Sequence, residues 1–224
     1  MTGVKGGSDG SDRLGEFILR LTISAPVPLV PEIVLLQAID AAALWETSIK
    51  DPAGWPDLPY WAIPWAGGQA LARHLLDHPE VVAGRTVADF ATGSGLVAIA
   101  AARAGAARVL ALDLDPHSEA AVRHNAAANG VQIEFRLGDA IGDPLDGFDV
   151  VLAGDIFYER RMAERTLPWL KGLAARGALV LAGDPGRHYT PREGLEPVAE
   201  YDAPAVAGVE GRPVLKTWVE RVSP

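Results

Sequence analysis

The stretch from Thr86 to Pro116 constrains this chain more than any other. Thr86-Val87-Ala88-Asp89-Phe90-Ala91-Thr92 reads as a buried strand, and Gly93-Ser94-Gly95 as a tight turn with almost no side chain. Leu96 to Gly105, mostly alanine and branched aliphatics, reads as a helix covered on both sides. Arg108 to Leu112 is then a second strand, closed by Asp113-Leu114-Asp115-Pro116. In such a unit the turn lets backbone amides approach a polar ligand, and the carboxylate closing the second strand can hold both hydroxyls of a ribose. Asp113 follows Asp89 at close to the roughly 20 residues expected between a glycine turn and its ribose acid. The unit predicts a nucleoside-bearing ligand.

The remaining patterns extend this unit into an α/β sheet. Gln132–Leu137, Phe148–Ala153 and Ala178–Ala182 read as further strands, and Gly67–His78, Pro116–Asn129 and Glu159–Arg176 as helices, the last kinked or divided at Pro168. Val198–Tyr201 and Val214–Val222 read as two strands with no helix between them, which predicts an antiparallel closing pair. Nearer the N-terminus, Glu16–Ile23 fits a short strand or helix, and Pro26, Pro28 and Pro31 predict irregular chain. An apolar face at Ile33, Leu36, Ile39 and Ala43 then predicts a helix over Glu32–Trp45. Asp51–Pro64 reads as a loop anchored by Trp55, Tyr60 and Trp61. The expected fold is a Rossmann-like, seven-stranded, mostly parallel sheet with an antiparallel C-terminal strand pair and an N-terminal helical extension.

A length of 224 residues suits one such domain. We expect a disordered tail over residues 1–14 and a single domain over 15–224, with 15–80 forming the extension and its helices and 81–224 the core. No apolar run approaches the roughly 18 to 20 residues of a membrane span. The Gly-, Ser- and Asp-rich start has neither secretory nor transit chemistry, so a soluble, cytoplasmic protein is expected. The absence of cysteine excludes thiolate metal sites and a cysteine nucleophile. A net charge of −9 argues against a general nucleic-acid binder and favours a cationic partner.

Ligands of open α/β sheets bind beyond the carboxyl ends of the strands. Here those ends carry Asp89, Asp113, Asp139, Asp155 with Tyr158, and Asp184, which predicts one acidic rim. A dinucleotide site wants a third glycine where this chain has Ala98, and Asp89 would repel a pyrophosphate. The same carboxylate can accept bonds from an ammonium group. S-adenosylmethionine carries an ammonium and a sulfonium and no phosphate, so Asp89 favours that methyl donor over a nicotinamide-dependent oxidoreductase.

Asp89–Gly95, Asp113–Pro116, Gly138-Asp139-Ala140 and Asp155-Ile156-Phe157-Tyr158 resemble the ordered motifs of seven-β-strand methyltransferases. More narrowly, Pro59–Leu71, Gly154–Tyr158 and Gly183-Asp184-Pro185-Gly186-Arg187 resemble the lysine methyltransferases of the electron transfer flavoprotein β subunit. The family's usual glycine after the strand-end acid is replaced here by Ala91-Thr92. The resemblance implies S-adenosylmethionine as cofactor, with Asp89, Ala91, Thr92, Gly93 and Gly95 bordering it, Asp113 on the ribose and Leu114 beside the adenine. It also implies Asp139 and Ala140 at the adenine edge, Trp65 and Gly67 closing the site, and Asp155 and Tyr158 at the acceptor lysine. The implied partner is the flavoprotein β subunit; another protein, such as a ribosomal protein, is the alternative.

The residues read independently agree for Asp155, because a carboxylate can capture and orient a cationic lysine, although an aspartate there could equally cap the following helix. Tyr158 can add a ring face to an ammonium. The His74-Leu75-Leu76-Asp77-His78 run only faintly resembles a metal helix, and Pro79 ends it, so no metal is expected. His117 and His124 are expected on a solvent-facing helix.

Overall fold

The computed structural model describes residues 15–46 except 17, 42 and 45, then residues 59–205 and 211–224. The predicted tail over 1–14 and the loop aromatic Trp55 lie outside the described residues.

Strands rich in Val, Ala and Leu and buried on both faces belong at the centre of a parallel sheet. Four behave this way: β3 (Thr86–Phe90), β4 (Arg108–Asp113), β6 (Val150–Gly154) and β7 (Leu179–Asp184), while the mostly exposed β5 (Glu134–Leu137) forms the sheet edge. They are joined by β9 (Val214–Val222) and β8 (Leu195–Pro204) in the order β5-β4-β3-β6-β7-β9-β8. The first five are mutually parallel, and β9 runs antiparallel to both β7 and β8. The predicted closing pair is therefore present. Strand order reverses at β3, whose Asp89 is in register with Ala111 of β4 and Leu152 of β6. That reversal opens a crevice at the carboxyl ends of β3, β4 and β6.

Side-chain alternation assigns each face its cover. Val87, Val109, Val150, Leu152 and Leu181 pack with helices α1 (Ala66–Asp77) and α2 (Leu96–Arg103). Ala88, Phe90, Leu112, Val151 and Ala153 pack on the other face with Trp169, Leu170 and Leu173 of α4 (Arg160–Ala175). Pro168 lies inside α4 without dividing it. Helix α3 (Pro116–Ala128) follows β4 and is capped by Asp115, which accepts a hydrogen bond from the His117 amide at 2.8 Å.

The helix expected over Glu32–Trp45 is a strand up to Ala38 and turns helical only at 41, 43 and 44, where the Leu44 amide donates to the Asp40 carbonyl. Helical residues 18–21 lead instead into an antiparallel hairpin of β1 (Thr22–Val27) and β2 (Val30–Ala38). The burial repeat is two, at Ile33 and Leu35, while Ile39 is 64% exposed. Pro26 and Pro31 are tolerated because a two-stranded ribbon leaves each strand one free edge. Side chains of α3 and its C-cap take up the outer edge of β2. Asn125 Oδ1 accepts from the Leu36 amide, and Asn129 both accepts from the Val34 amide and donates to the Val34 carbonyl. Those bonds satisfy backbone groups that a helix would have paired internally.

Candidate active site

The crevice is a cavity of about 760 Å³. The glycine turn defines its floor. Gly93 (φ +51) and Gly95 (φ +81) take left-handed conformations, and Ala91 does the same at φ +55. Such a conformation costs an L-residue roughly 1–2 kcal/mol, so Ala91 holds a glycine-like backbone at some expense. The 3-10 turn Tyr60–Ala62 lies over this floor, with the Tyr60 carbonyl 3.7 Å from where a Gly93 Cβ would sit.

Asp89 is buried beneath the turn. Its Oδ2 accepts from Thr92 Oγ1 at 2.5 Å and from the Ala98 amide at 3.1 Å. The second bond satisfies a free first-turn N–H of α2, whose own N-cap, Gly95, has no side chain to offer. Burial pushes the Asp89 carboxyl up to about 7, against the lowering effect of those two bonds. Asp113 joins the two strand ends: Oδ2 accepts from the Gly93 amide at 2.8 Å, and Oδ1 from the Asp115 amide at 3.0 Å. Burial raises its pKa as well. Each of its oxygens keeps a further lone pair, so the carboxylate can receive two hydroxyls without losing the turn.

Asp139, after β5, is held by Arg165 Nη2 at 2.6 Å, which lowers its pKa, and it lines the cavity with Ala140, Leu114 and Met162. At the opposite end of the cavity stands Asp155, following β6 with φ +53. Its Oδ2 accepts from the Gly68 amide at 2.8 Å, and its Oδ1 takes Arg187 Nη2 at 2.5 Å and Nε at 3.2 Å. Burial raises the Asp155 carboxyl to about 6 even though Arg187 pulls the other way. The Arg187 guanidinium also lies 5.5 Å from the Trp65 ring centre. Tyr60 packs 5.8 Å from Trp65 and 5.2 Å from Tyr158, so a row of three aromatic rings runs along the cavity wall from the ion pair's Trp65.

Arg187 owes its place to Asp184. That side chain is buried at the end of β7, and its Oδ1 accepts from the Gly186 and Arg187 amides and from Thr190 Oγ1. The bonds fold Pro185-Gly186-Arg187 back toward Asp155 and explain the Gly-Asp-Pro-Gly-Arg run.

Of the sequence-predicted site residues, Trp65, Asp89, Ala91, Thr92, Gly93, Asp113, Leu114, Asp139, Ala140, Asp155 and Tyr158 line this one cavity. Gly67 and Gly95 do not. A Cβ on Gly67 would lie 2.1 Å from the Gly183 carbonyl oxygen and 2.6 Å from Asp155 Oδ2, so its role is to let α1 begin directly against the strand ends. Gly95 turns the chain into α2 against Val122. His117 is not solvent-facing as expected: it is 3% exposed, its Nδ1 lies 2.8 Å from Asp115 Oδ1, and its ring stacks on Trp61 at 6.1 Å. His124 is half-buried on the same helix. Sequence reasoning missed Arg187 and Arg165; the only signal was their nearness to predicted strand-end motifs.

Comparison with known proteins places this geometry. The family model described as ribosomal protein L11 methyltransferase (PrmA) matches residues 70–159, the segment that builds the glycine turn and the ends of β4 and β6. The electron transfer flavoprotein beta subunit lysine methyltransferase of Xenopus laevis is 39% identical over 193 residues, covering 83% of this chain and 77% of that protein. The chain belongs to this lysine methyltransferase family. The Danio rerio relative of the same name is 39% identical over 206 residues, covering 88% of this chain and 79% of its own length. In fold, the chain resembles the magnesium protoporphyrin IX methyltransferase of Synechocystis, solved with bound S-adenosylmethionine. The TM-score is 0.50 at 19% identity, over 70% of this chain and 78% of that one. Among the described residues, no helix is long and apolar enough to cross a membrane.

Proposed function

We propose that this chain methylates lysine side chains of the electron transfer flavoprotein β subunit, using S-adenosylmethionine. The observation that carries the reading is one cavity with the partly buried Asp113 carboxylate, bonded to two backbone amides, at one end and the Asp155–Arg187 pair, beside the Trp65, Tyr60 and Tyr158 rings, at the other.

The residues present suit that donor. Asp113 would hold the ribose, the apolar Leu114 and Ala140 would flank the base, and Asp89 would face the amino-acid end, where an ammonium favours its ionised form. The donor supplies a methyl group on a sulfonium, an electrophile that needs only a well-placed lone pair. The protein's contribution is then positional: Asp155 and the aromatic rings orient the acceptor side chain toward the cavity and shield it from water.

Intact-mass analysis of purified flavoprotein β subunit after incubation with enzyme and S-adenosylmethionine tests this reading, with ribosomal protein L11 run in parallel. A gain of one or more methyl groups on the flavoprotein subunit is expected. Modification of L11 alone, or of neither protein while calorimetry shows donor binding, would overturn it.

A further inference from the structure

Lysine reaches any protein surface as an ammonium, with a pKa near 10.4, yet only the neutral amine can attack a methyl group. A bare carboxylate at the acceptor site would stabilise the ammonium and oppose the reaction. Asp155 is not bare. Its Oδ1 is taken by two guanidinium nitrogens, its Oδ2 by the Gly68 amide, and the Arg187 cation is held over Trp65 by a turn that Asp184 anchors.

We propose that Arg187 is a positioning residue that keeps Asp155 as a neutralised pair, so that the acceptor site receives its lysine as the free amine. This rests on the lysine methyltransferase reading above. An ammonium brought to Asp155 meets a fixed cation within the same ion pair, and like charge disfavours a second one. A neutral amine meets a hydrogen-bonding carboxylate in a cavity also lined by Tyr60, Trp65 and Tyr158. The ammonium gives its proton to solvent water at the cavity mouth, beside the half-exposed Tyr158. The nitrogen lone pair then forms the N–C bond, as the methyl's bond to sulfur breaks with its electrons left on sulfur.

Other charged or titratable groups surround the pair. Asp184 lies behind the turn with Oδ2 buried and without a hydrogen-bond partner among the described residues. Glu220 of β9 interacts with Asp184, Tyr60 and Tyr158 stand at the mouth, and Arg212 approaches from the segment before β9. None of these pairs with Asp155 as Arg187 does.

The test is the pH dependence of kcat/KM on the flavoprotein β subunit for the unsubstituted enzyme, Arg187→Met, Arg187→Gln and Arg187→Lys, with donor affinity measured by calorimetry in each. Loss of the cation should move the rising limb upward by about one pH unit or more. Activity at pH 7 then falls about tenfold or more and recovers in alkaline buffer, while Arg187→Lys keeps the original limb. An unchanged limb with a uniform loss would overturn the inference, as would faster turnover of Arg187→Met at pH 7, which would make Arg187 a blocking group. Either outcome leaves the functional reading standing. Absence of methylation by the unsubstituted enzyme would overturn both.

Discussion

Arg187 Nη2 lies 2.5 Å from Asp155 Oδ1, and the partners differ in burial: the arginine side chain is 21% exposed and the aspartate 9%. That difference makes the two deletions unequal. In Asp155→Ala the guanidinium can turn into solvent, whereas Arg187→Ala leaves a carboxylate buried without its cation. Removing one member of a buried pair costs about 3–5 kcal/mol. We expect Arg187→Ala to approach that range and Asp155→Ala to lose clearly less, measured by urea unfolding. Asp155 already titrates near 6 through burial, so without Arg187 its folded pKa rises further. An acid with a raised folded pKa loses stability as pH climbs toward that value, so the Arg187→Ala deficit should be larger at pH 8 than at pH 6.

Asp155→Ala should reduce methylation by about 100- to 1,000-fold, a loss of the size seen when a preorganised polar group is removed from a reacting centre. Donor affinity should stay within a small factor, because Asp113 and Asp139 lie at the other end of the cavity. A matched fall in donor binding, read by calorimetry, would instead make Asp155 part of the donor site.

Asp89 makes a pH prediction of its own. Its folded pKa of about 7 stands above the unfolded value, so between pH 4 and 7 the folded state binds the extra proton. Stability should therefore fall as pH rises through that window and level off above it, by a few kcal/mol in order of magnitude. His74 and His124, lowered by burial, act in the opposite direction near pH 6. The check is thus the difference between the parent and Asp89→Asn in urea titrations at pH 5, 6 and 8. Donor binding should tighten toward pH 7 as the same carboxyl ionises, and Asp89→Asn should lose that dependence.

Sequence periodicity resolved the parallel core because its strands are short apolar runs ended by acids and separated by helices. Thr86–Asp113 is the clearest case, since each local choice there agrees with the whole fold. Strand β2 is hidden in the sequence because Ile33, Leu36 and Ile39 mimic a helical stripe. What decides against the helix is Asn125 and Asn129, some ninety positions away, which complete the edge of β2. Arg187 was illegible for a similar reason: its partner is fixed by Asp184 turn bonds and by a carboxylate on another strand, neither of which leaves a periodic trace.

Asp113→Ala should weaken donor binding without abolishing the fold. The carboxylate accepts from the Gly93 and Asp115 amides, and bonds to a charged group contribute roughly 1.5–3 kcal/mol each. With two ribose hydroxyls also lost, the dissociation constant should rise by at least about 100-fold. A change below tenfold in calorimetry would place the ribose elsewhere.

Gly67 tests how tightly the acceptor end is built. A methyl group there would meet the Gly183 carbonyl at 2.1 Å, and one on Gly183 would meet the Gly67 carbonyl at 2.2 Å. Both obstacles are backbone, so no rotamer change relieves them, and α1 must move off the strand ends. That movement withdraws the Gly68 amide from Asp155 and removes one of the bonds that hold it beside Arg187. Gly67→Ala should therefore cost about 3 kcal/mol or more and lower the melting temperature by about 6–12 °C for a domain of this size. Gly84→Ala, at φ +71 with open space around it, should cost only its backbone strain of about 1–2 kcal/mol. Equal melting shifts for the two variants would show that α1 does not sit on β7 as closely as the Gly67–Gly183 approach requires.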